Sequence, residues 1–159
     1  MKNLGHRLGA SGTKLENTIE GLLGSTGLVS DRRFKYWEFD TRESSDGILF
    51  VFHDDLILKE GNLIPTKDMK FDEIYQTGLS LGIKIPKFKD VIKELKNRSE
   101  KTMIEIKYVN SDSCRDEIFN SVADRHNWML MSTPSRFIDS FPDESREYWR
   151  NRARELDLK

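Results

Sequence analysis

The sequence predicts an α/β fold built on a largely parallel sheet. Three observations lead there. Apolar or alternating strand-like runs recur along the chain with stretches of helical periodicity between them. Those runs end in ionisable residues (His6-Arg7, Glu38-Phe39-Asp40, His53-Asp54 and Glu105-Ile106-Lys107), and strand ends are where parallel α/β sheets carry their chemistry. The 159 residues contain no repeat and no Pro/Gly/Ser-rich linker, so one domain spanning 1–159 is expected.

The elements follow in order. Lys2–His6 reads as a short strand running into glycines. Asn17–Leu23 reads as a helix that Asn17 or Thr18 can cap. Tyr36–Asp40 (YWEFD) alternates and is aromatic, which suits a strand. Asp46-Gly47 is a turn signal. Ile48–His53 (ILFVFH) opens with a continuous apolar run and suits a strand buried on both faces. Asp72–Leu81 reads as a helix, and Lys87–Leu95 as another through Phe88, Val91, Ile92 and Leu95. Thr102–Lys107 (TMIEIK) alternates, Arg115–Arg125 is helical, and Asn127–Ser132 is a fifth strand. From Pro142 onward a charged helix is expected, with Tyr148 and Trp149 as its apolar surface and Arg146–Glu155 as a solvated face. Only the pair flanking Asp46-Gly47 breaks the strand–helix alternation.

Composition narrows the function. Lys plus Arg number 26 and Asp plus Glu 27, so no global positive field draws nucleic acid. The single cysteine, Cys114, excludes an intramolecular disulfide and a multi-thiolate metal site, and nothing around it marks a catalytic thiol. The longest wholly apolar run, Ile48–Phe52, is far below the roughly 20 residues that span a bilayer, so no stable membrane insertion is expected. The start, MKNLGHRLGA, has no apolar signal-peptide core, which points to the cytoplasm. His126, in a polar stretch, reads as a surface loop residue.

Glu38 and Asp40 lie two apart on a strand, so both side chains leave one face, and Glu105 and Lys107 repeat that geometry. Three carboxylates converging on one rim repel unless a positive charge sits between them. A divalent cation with oxygen ligands, Mg²⁺ or Ca²⁺ rather than zinc, answers that need. A Glu-x-Asp pair alone more often describes a solvated strand face, and the Glu105-x-Lys107 pair and the two strand-end histidines shift that balance. His6 and His53 suit a general acid and general base, although each taken singly is more often structural. Arg7 and Lys107 suit phosphate oxygens, or ordinary salt bridges to the nearby carboxylates. Taken together these groups suggest phosphoryl chemistry.

At these residues the chain resembles the glycerophosphodiester phosphodiesterase family. The ordered matches are GHRL at Gly5–Leu8, LENT at Leu15–Thr18, EFD at Glu38–Asp40 and HDD at His53–Asp55. IPKFKDVIKEL (Ile85–Leu95), IEIK (Ile104–Lys107) and LMSTP (Leu130–Pro134) look like later segments of that family. The resemblance implies a TIM-barrel-type (β/α) fold and metal-dependent hydrolysis of a small-molecule phosphodiester to an alcohol and glycerol 3-phosphate. Carried over by motif, His6 and His53 would be the acid/base pair, and Glu38, Asp40 and Glu105 the ligands of Mg²⁺ or Ca²⁺. Arg7 and Lys107 would hold the phosphate. Glu16 and Asn17 would belong to the supporting network, with Glu16 the closer to the centre. A cyclic phosphate formed by a neighbouring glycerol hydroxyl, and direct attack by water, both remain open.

The chain departs from the family pattern at Leu8, where the family has glycine, and at Leu15, where it has proline. The insertion that many members carry after His-Asp is minimal here. Length is the larger departure: such barrels take about 250 residues, with roughly 200 as the lower end. The expectation is therefore an incomplete barrel of about five strands, with self-association as the favoured remedy for its open edges. The alternatives are a non-catalytic or partner-completed metal- and phosphate-binding relic, and a lyase acting at membranes. The last would need an exposed apolar loop near the site, which the sequence does not display.

Overall fold

The computed structural model describes residues 2–156. Its strands are β1 (Trp37–Glu43), β2 (Leu49–Val51), β3 (Leu56–Lys59), β4 (Asn62–Pro65), β5 (Thr102–Tyr108) and β6 (Trp128–Met131). Its α-helices are α1 (Ile19–Gly24), α2 (Phe71–Ser80), α3 (Phe88–Lys96), α4 (Asp112–Val122), α5 (Pro134–Ser140) and α6 (Asp143–Glu155). The main sheet has the order β2-β1-β5-β6 and remains open. β1 pairs in parallel with β5, with Asp40 beside Glu105, and β5 pairs in parallel with β6. β2 returns antiparallel to β1 through the turn at Asp46-Gly47, setting Thr41 opposite Val51. The fold is thus mixed α/β with a largely parallel, unclosed sheet, as an incomplete barrel requires.

One face of the sheet is apolar. Trp37 and Phe39 of β1, Ile104 and Ile106 of β5 and Trp128 of β6 join Phe88, Val91 and Leu95 of α3 and Ile118 and Phe119 of α4 in the main core. Because side chains alternate along a strand, that burial fixes Glu38, Asp40, Glu105 and Lys107 on the opposite face. β2 is buried on both sides, as its continuous apolar run implied. Leu49 and Val51 enter the main core, whereas Phe50 joins a second cluster with Ile57, Met69, Phe71, Ile74 and Ile85. In α6, Trp149 is buried against Phe119 and Phe141, so the apolar surface expected there is left to Tyr148 alone.

Two expectations are corrected. Lys2–His6 is not a strand: the segment runs irregularly into a 3₁₀ turn, His6–Gly9. Asn3 takes over the pairing that a ladder would supply. Its amide donates to the Tyr36 carbonyl, and its side-chain oxygen accepts from the N–H groups of Gly5 and Lys35. A single strand-like bond, Glu38 N–H to the Gly5 carbonyl, ties the segment to β1. The second correction is the hairpin β3–β4, which the sequence reading left unassigned. Glu60 and Gly61 both adopt positive φ (50° and 81°), the geometry of a tight two-residue hairpin turn.

Candidate active site

Glu38, Asp40 and Glu105 each present a carboxylate oxygen within 4.8 Å of the others. The register forces this meeting, since Asp40 sits directly beside Glu105 and Glu38 one pleat earlier on the same face. Glu38 and Asp40 are almost wholly buried, whereas Glu105 is half-buried. The three lie mid-strand, on the face of the sheet rather than at a common C-terminal rim.

The chain around His6 wraps this cluster from one side. Arg7, Leu8 and Gly9 all take positive φ (50°, 61° and 92°). That tight curl turns the Arg7 backbone N–H onto Glu38 Oε2 at 2.9 Å and brings His6 Nε2 to 3.6 Å from the same oxygen. His6 Nδ1 is held by the Ser11 hydroxyl at 3.0 Å. The curl also buries the Leu8 side chain completely in the main core. The departure from glycine at this position therefore keeps the glycine-like backbone and adds apolar burial.

Arg7 extends to Glu16, Nη1 to Oε2 at 2.6 Å, with its Nε 3.9 Å from Asp40 Oδ2. Asn17 rather than Glu16 touches the cluster, its Nδ2 donating to Asp40 Oδ2 at 2.9 Å. Asn17 stands at φ 58°, outside α1, and Thr18 caps that helix by accepting from the Gly21 N–H. Lys107 lies 3.0 Å from Glu105 Oε1 and 3.8 Å from Asp40 Oδ1. His53 follows β2 in a half-exposed bend, its Nδ1 at 2.7 Å from Asp54 Oδ1. The bond from Phe52 N–H to the Asp40 carbonyl sets this bend beside the middle of β1.

Electrostatics follow from this crowding. Burial, reinforced by the neighbouring Asp40, pushes the Glu38 carboxyl up to about 8. Burial also raises Asp40, against the Asn17 amide, which favours its ionised form. For Glu105 burial pulls upward, but hydrogen bonds with Asp40 and Lys107 outweigh it and hold that carboxyl below its usual range. Three carboxyls this close cannot all ionise unaided; burial favours the proton on Glu38 and Asp40, and the hydrogen bonds of Glu105 favour the charge there. Burial, then the charge of Arg7, lowers His6, so its imidazole is neutral near neutral pH and able to accept a proton. Glu38 Oε1 is buried without a hydrogen-bond partner. A buried acceptor left unmatched costs about 1–3 kcal/mol, and a hard cation among these oxygens would satisfy it. The donor set, all carboxylate, fits Mg²⁺ or Ca²⁺.

The sequence model of the Glycerophosphoryl diester phosphodiesterase family matches residues 6–156. The chain belongs to this family. Solved structures of similar fold include a glycerophosphodiester phosphodiesterase from Agrobacterium tumefaciens, 22% identical, with a TM-score of 0.54 over 74% of this chain and 54% of the other. One from Thermotoga maritima is 24% identical, with a TM-score of 0.53 over 91% of this chain and 65% of the other. An Oleispira antarctica phosphodiesterase, solved in complex with the product sn-glycerol-3-phosphate, is 19% identical, with a TM-score of 0.50 over 93% of this chain and 69% of the other. The chain thus spans about half to two thirds of the length of these relatives. No curated protein matches it by sequence.

Every candidate site residue named from the sequence, His6 through Lys107, lies within the family match. Three others were missed. Arg42 continues the Glu38–Asp40 alternation, and its side chain is only 4% exposed. It donates to the carbonyls of Phe52 and His53 and to Asp55 Oδ1 at 2.8 Å. Arg136 of α5 grips the same carboxylate with both fork nitrogens, at 2.7 and 3.1 Å. Burial pulls the Arg42 guanidinium down against Asp55, while the two guanidiniums hold Asp55 well below the usual carboxylate range. The signal for Arg42 was its spacing two residues past Asp40, and for Asp55 its place at the end of HDD. No local signal marks Arg136. Cys114 is buried, and burial pushes its thiol up to about 12, so it is unreactive.

Proposed function

We propose that the chain is a metal-dependent phosphodiester hydrolase that cleaves a glycerophosphodiester to an alcohol and glycerol 3-phosphate. The supporting observation is the Glu38–Asp40–Glu105 cluster, in which Glu38 Oε1 is buried and unmatched while the His6 imidazole stands 3.6 Å from the other oxygen of the same carboxyl. Glu38, Asp40 and Glu105 would hold the cation, which supplies positive charge to a phosphoryl oxygen. Arg7 and Lys107 offer the remaining phosphate oxygens a fork and a point charge. Glu16 holds the Arg7 fork in place and Asn17 fixes the Asp40 carboxylate.

The proton balance needs one base and one acid. The attacking hydroxyl gives its proton to one histidine as its oxygen bonds to phosphorus. The bond to the leaving oxygen breaks, and the other histidine returns a proton to that oxygen. His6, held neutral by burial and by Arg7, serves as the base, and His53, set by Asp54 and the bend after β2, as the acid. Direct attack by water gives glycerol 3-phosphate in this one step. Attack by the neighbouring glycerol hydroxyl gives a cyclic phosphate, which a second step opens: water bonds to phosphorus and gives its proton to one histidine, and the released ring oxygen takes a proton from the other.

The test is hydrolysis of glycerophosphocholine and of an aryl phosphodiester with Mg²⁺ or Ca²⁺, repeated with chelator. Cation-dependent turnover is expected, falling by about 10²-fold or more in His6→Ala and in His53→Ala. A folded protein that binds cation without turnover would overturn the reading in favour of a non-catalytic binding module.

One observation favours a second reading, a lyase acting on lipid diesters. The β3–β4 hairpin, which starts just past His53, exposes Leu56, Leu58 and Leu63, an apolar surface the sequence reading did not find. No described helix is long and apolar enough to cross a membrane, so contact there would be peripheral. Cyclic phosphate as the final product, and turnover that requires vesicles, would replace the first reading with this one.

A further inference from the structure

A cavity of about 580 Å³ adjoins the carboxylate cluster through Lys107, which lines it. Tyr108 of β5, Arg42 of β1, Arg136 of α5 and Lys67, just past β4, form much of its wall. None of the three cluster carboxylates faces it. Its size suits a polar head group, since small-molecule sites measure about 300–1,000 Å³. A phosphate held at Lys107 would therefore direct one of its ester substituents into this space.

The wall carries an excess of positive charge. Leaving aside Lys107, whose charge Glu105 and Asp40 share, Arg42, Lys67 and Arg136 stand against Asp55 and Asp139. Arg42 and Arg136 both bind Asp55, so one carboxylate serves two guanidiniums. Lys67 makes no ion pair among the described residues, and its ammonium sits 6.0 Å from the centre of the Tyr108 ring. A quaternary ammonium group needs an open aromatic face or a free carboxylate. Here the one aromatic ring already faces an ammonium and Asp55 is consumed by its two arginines; Asp139 is the one wall carboxylate outside an ion pair among the described residues, and it stands against both the unpaired Lys67 and the surplus guanidinium charge.

We propose that this cavity is the leaving-group subsite and selects diesters whose alcohol carries a second anionic group, a phosphate above all, over those carrying choline. The proposal rests on the diesterase reading for its chemistry, but the cavity's preference for charge is a property of the wall. Lys67 is the residue that sets it, because its charge is uncompensated and its exposed side chain is free to reach a phosphate.

The test uses a matched pair, glycerophosphoinositol and glycerophosphoinositol 4-phosphate, with glycerophosphocholine as the cationic comparison. The phosphorylated member should show a kcat/KM about tenfold above its parent and above glycerophosphocholine, the worth of one charge-assisted contact. Lys67→Glu, at an exposed position, should remove that advantage. Equal values for the pair, or a preference for glycerophosphocholine, would overturn the proposal. Binding of the same pair is measured in chelator by calorimetry, so that the subsite and the diesterase reading fail separately. Tighter binding of the phosphorylated member that Lys67→Glu abolishes upholds the subsite even if no diester is cleaved. Equal affinities refute the subsite even if both diesters are.

Discussion

Asn17 and Asp40 exchange two hydrogen bonds: the Asn17 amide donates to Asp40 Oδ2 at 2.9 Å, and its oxygen accepts from the Asp40 N–H at 3.3 Å. Asn17 does this from a left-handed backbone, φ 58°, which asparagine and glycine tolerate and alanine resists. Asn17→Gly removes the side-chain bonds alone, and Asn17→Ala adds the backbone penalty. Urea unfolding should therefore show Asn17→Ala less stable than Asn17→Gly by about 1 kcal/mol. Both variants should bind Ca²⁺ more weakly than the parent. Unchanged Ca²⁺ affinity would remove Asn17 from the support of Asp40.

Leu8 balances strain against burial. Its φ of 61° costs roughly 1–2 kcal/mol in an L-residue, while full burial of a leucine side chain contributes about 1.5–3 kcal/mol. Leu8→Ala loses the burial and keeps the strain, so a loss of about 2–5 kcal/mol is expected. Leu8→Gly loses the burial but relieves the strain and should be the milder change. A glycine variant less stable than the alanine variant would mean that the left-handed turn is not strained.

Proton uptake couples the carboxylate cluster to stability. Without cation, Glu38 is pushed up to about 8 and Asp40 is also raised, so the folded state holds protons that the unfolded state releases. The stabilisation from these groups is complete below the ordinary carboxylate range and is lost as pH rises toward about 8. In chelator, the Tm of the native chain should fall over that interval relative to Glu38→Gln. Added Mg²⁺ or Ca²⁺ should raise Tm most at the alkaline end, where the ligands are ionised, and Asp40→Asn should abolish that rise. A cation effect that grows toward acid pH would contradict the ligand assignment.

Arg42 ties the bend that carries His53 to β1. Its fork satisfies two backbone carbonyls and Asp55 together, which a lysine ammonium cannot do from one position. Arg42→Lys should cost about 1–3 kcal/mol in unfolding and lower kcat with little change in KM, because His53 loses its setting while the phosphate contacts remain. A change confined to KM would assign the effect of Arg42 to the cavity it lines rather than to the setting of His53.

Much of the candidate site was legible because it depends on strand pleating. Glu38-x-Asp40 and Glu105-x-Lys107 had to share faces once each segment was read as a strand, and the apolar residues between them decided which face was buried. The cap of α1, narrowed to Asn17 or Thr18, and the turn at Asp46-Gly47 were legible for the same local reason. The β3–β4 hairpin was not, since Glu60-Gly61 is a weaker turn signal than an asparagine–glycine pair. Nor was the irregular course of Lys2–Gly5, where the Asn3 side chain takes over hydrogen bonds that a strand would have made.

The sequence by itself determined the family, the α/β class and the identities of the ionisable residues that line one sheet face. Only the tertiary structure decided that Asn17 rather than Glu16 meets Asp40, that Arg42 and Arg136 share Asp55, and that the hairpin exposes its leucines. The division has a physical cause. The direction of a strand side chain is fixed by its own backbone within a residue or two, and a sequence displays it. Which distant group fills the space in front of that side chain depends on how separate elements pack, and no local pattern encodes it.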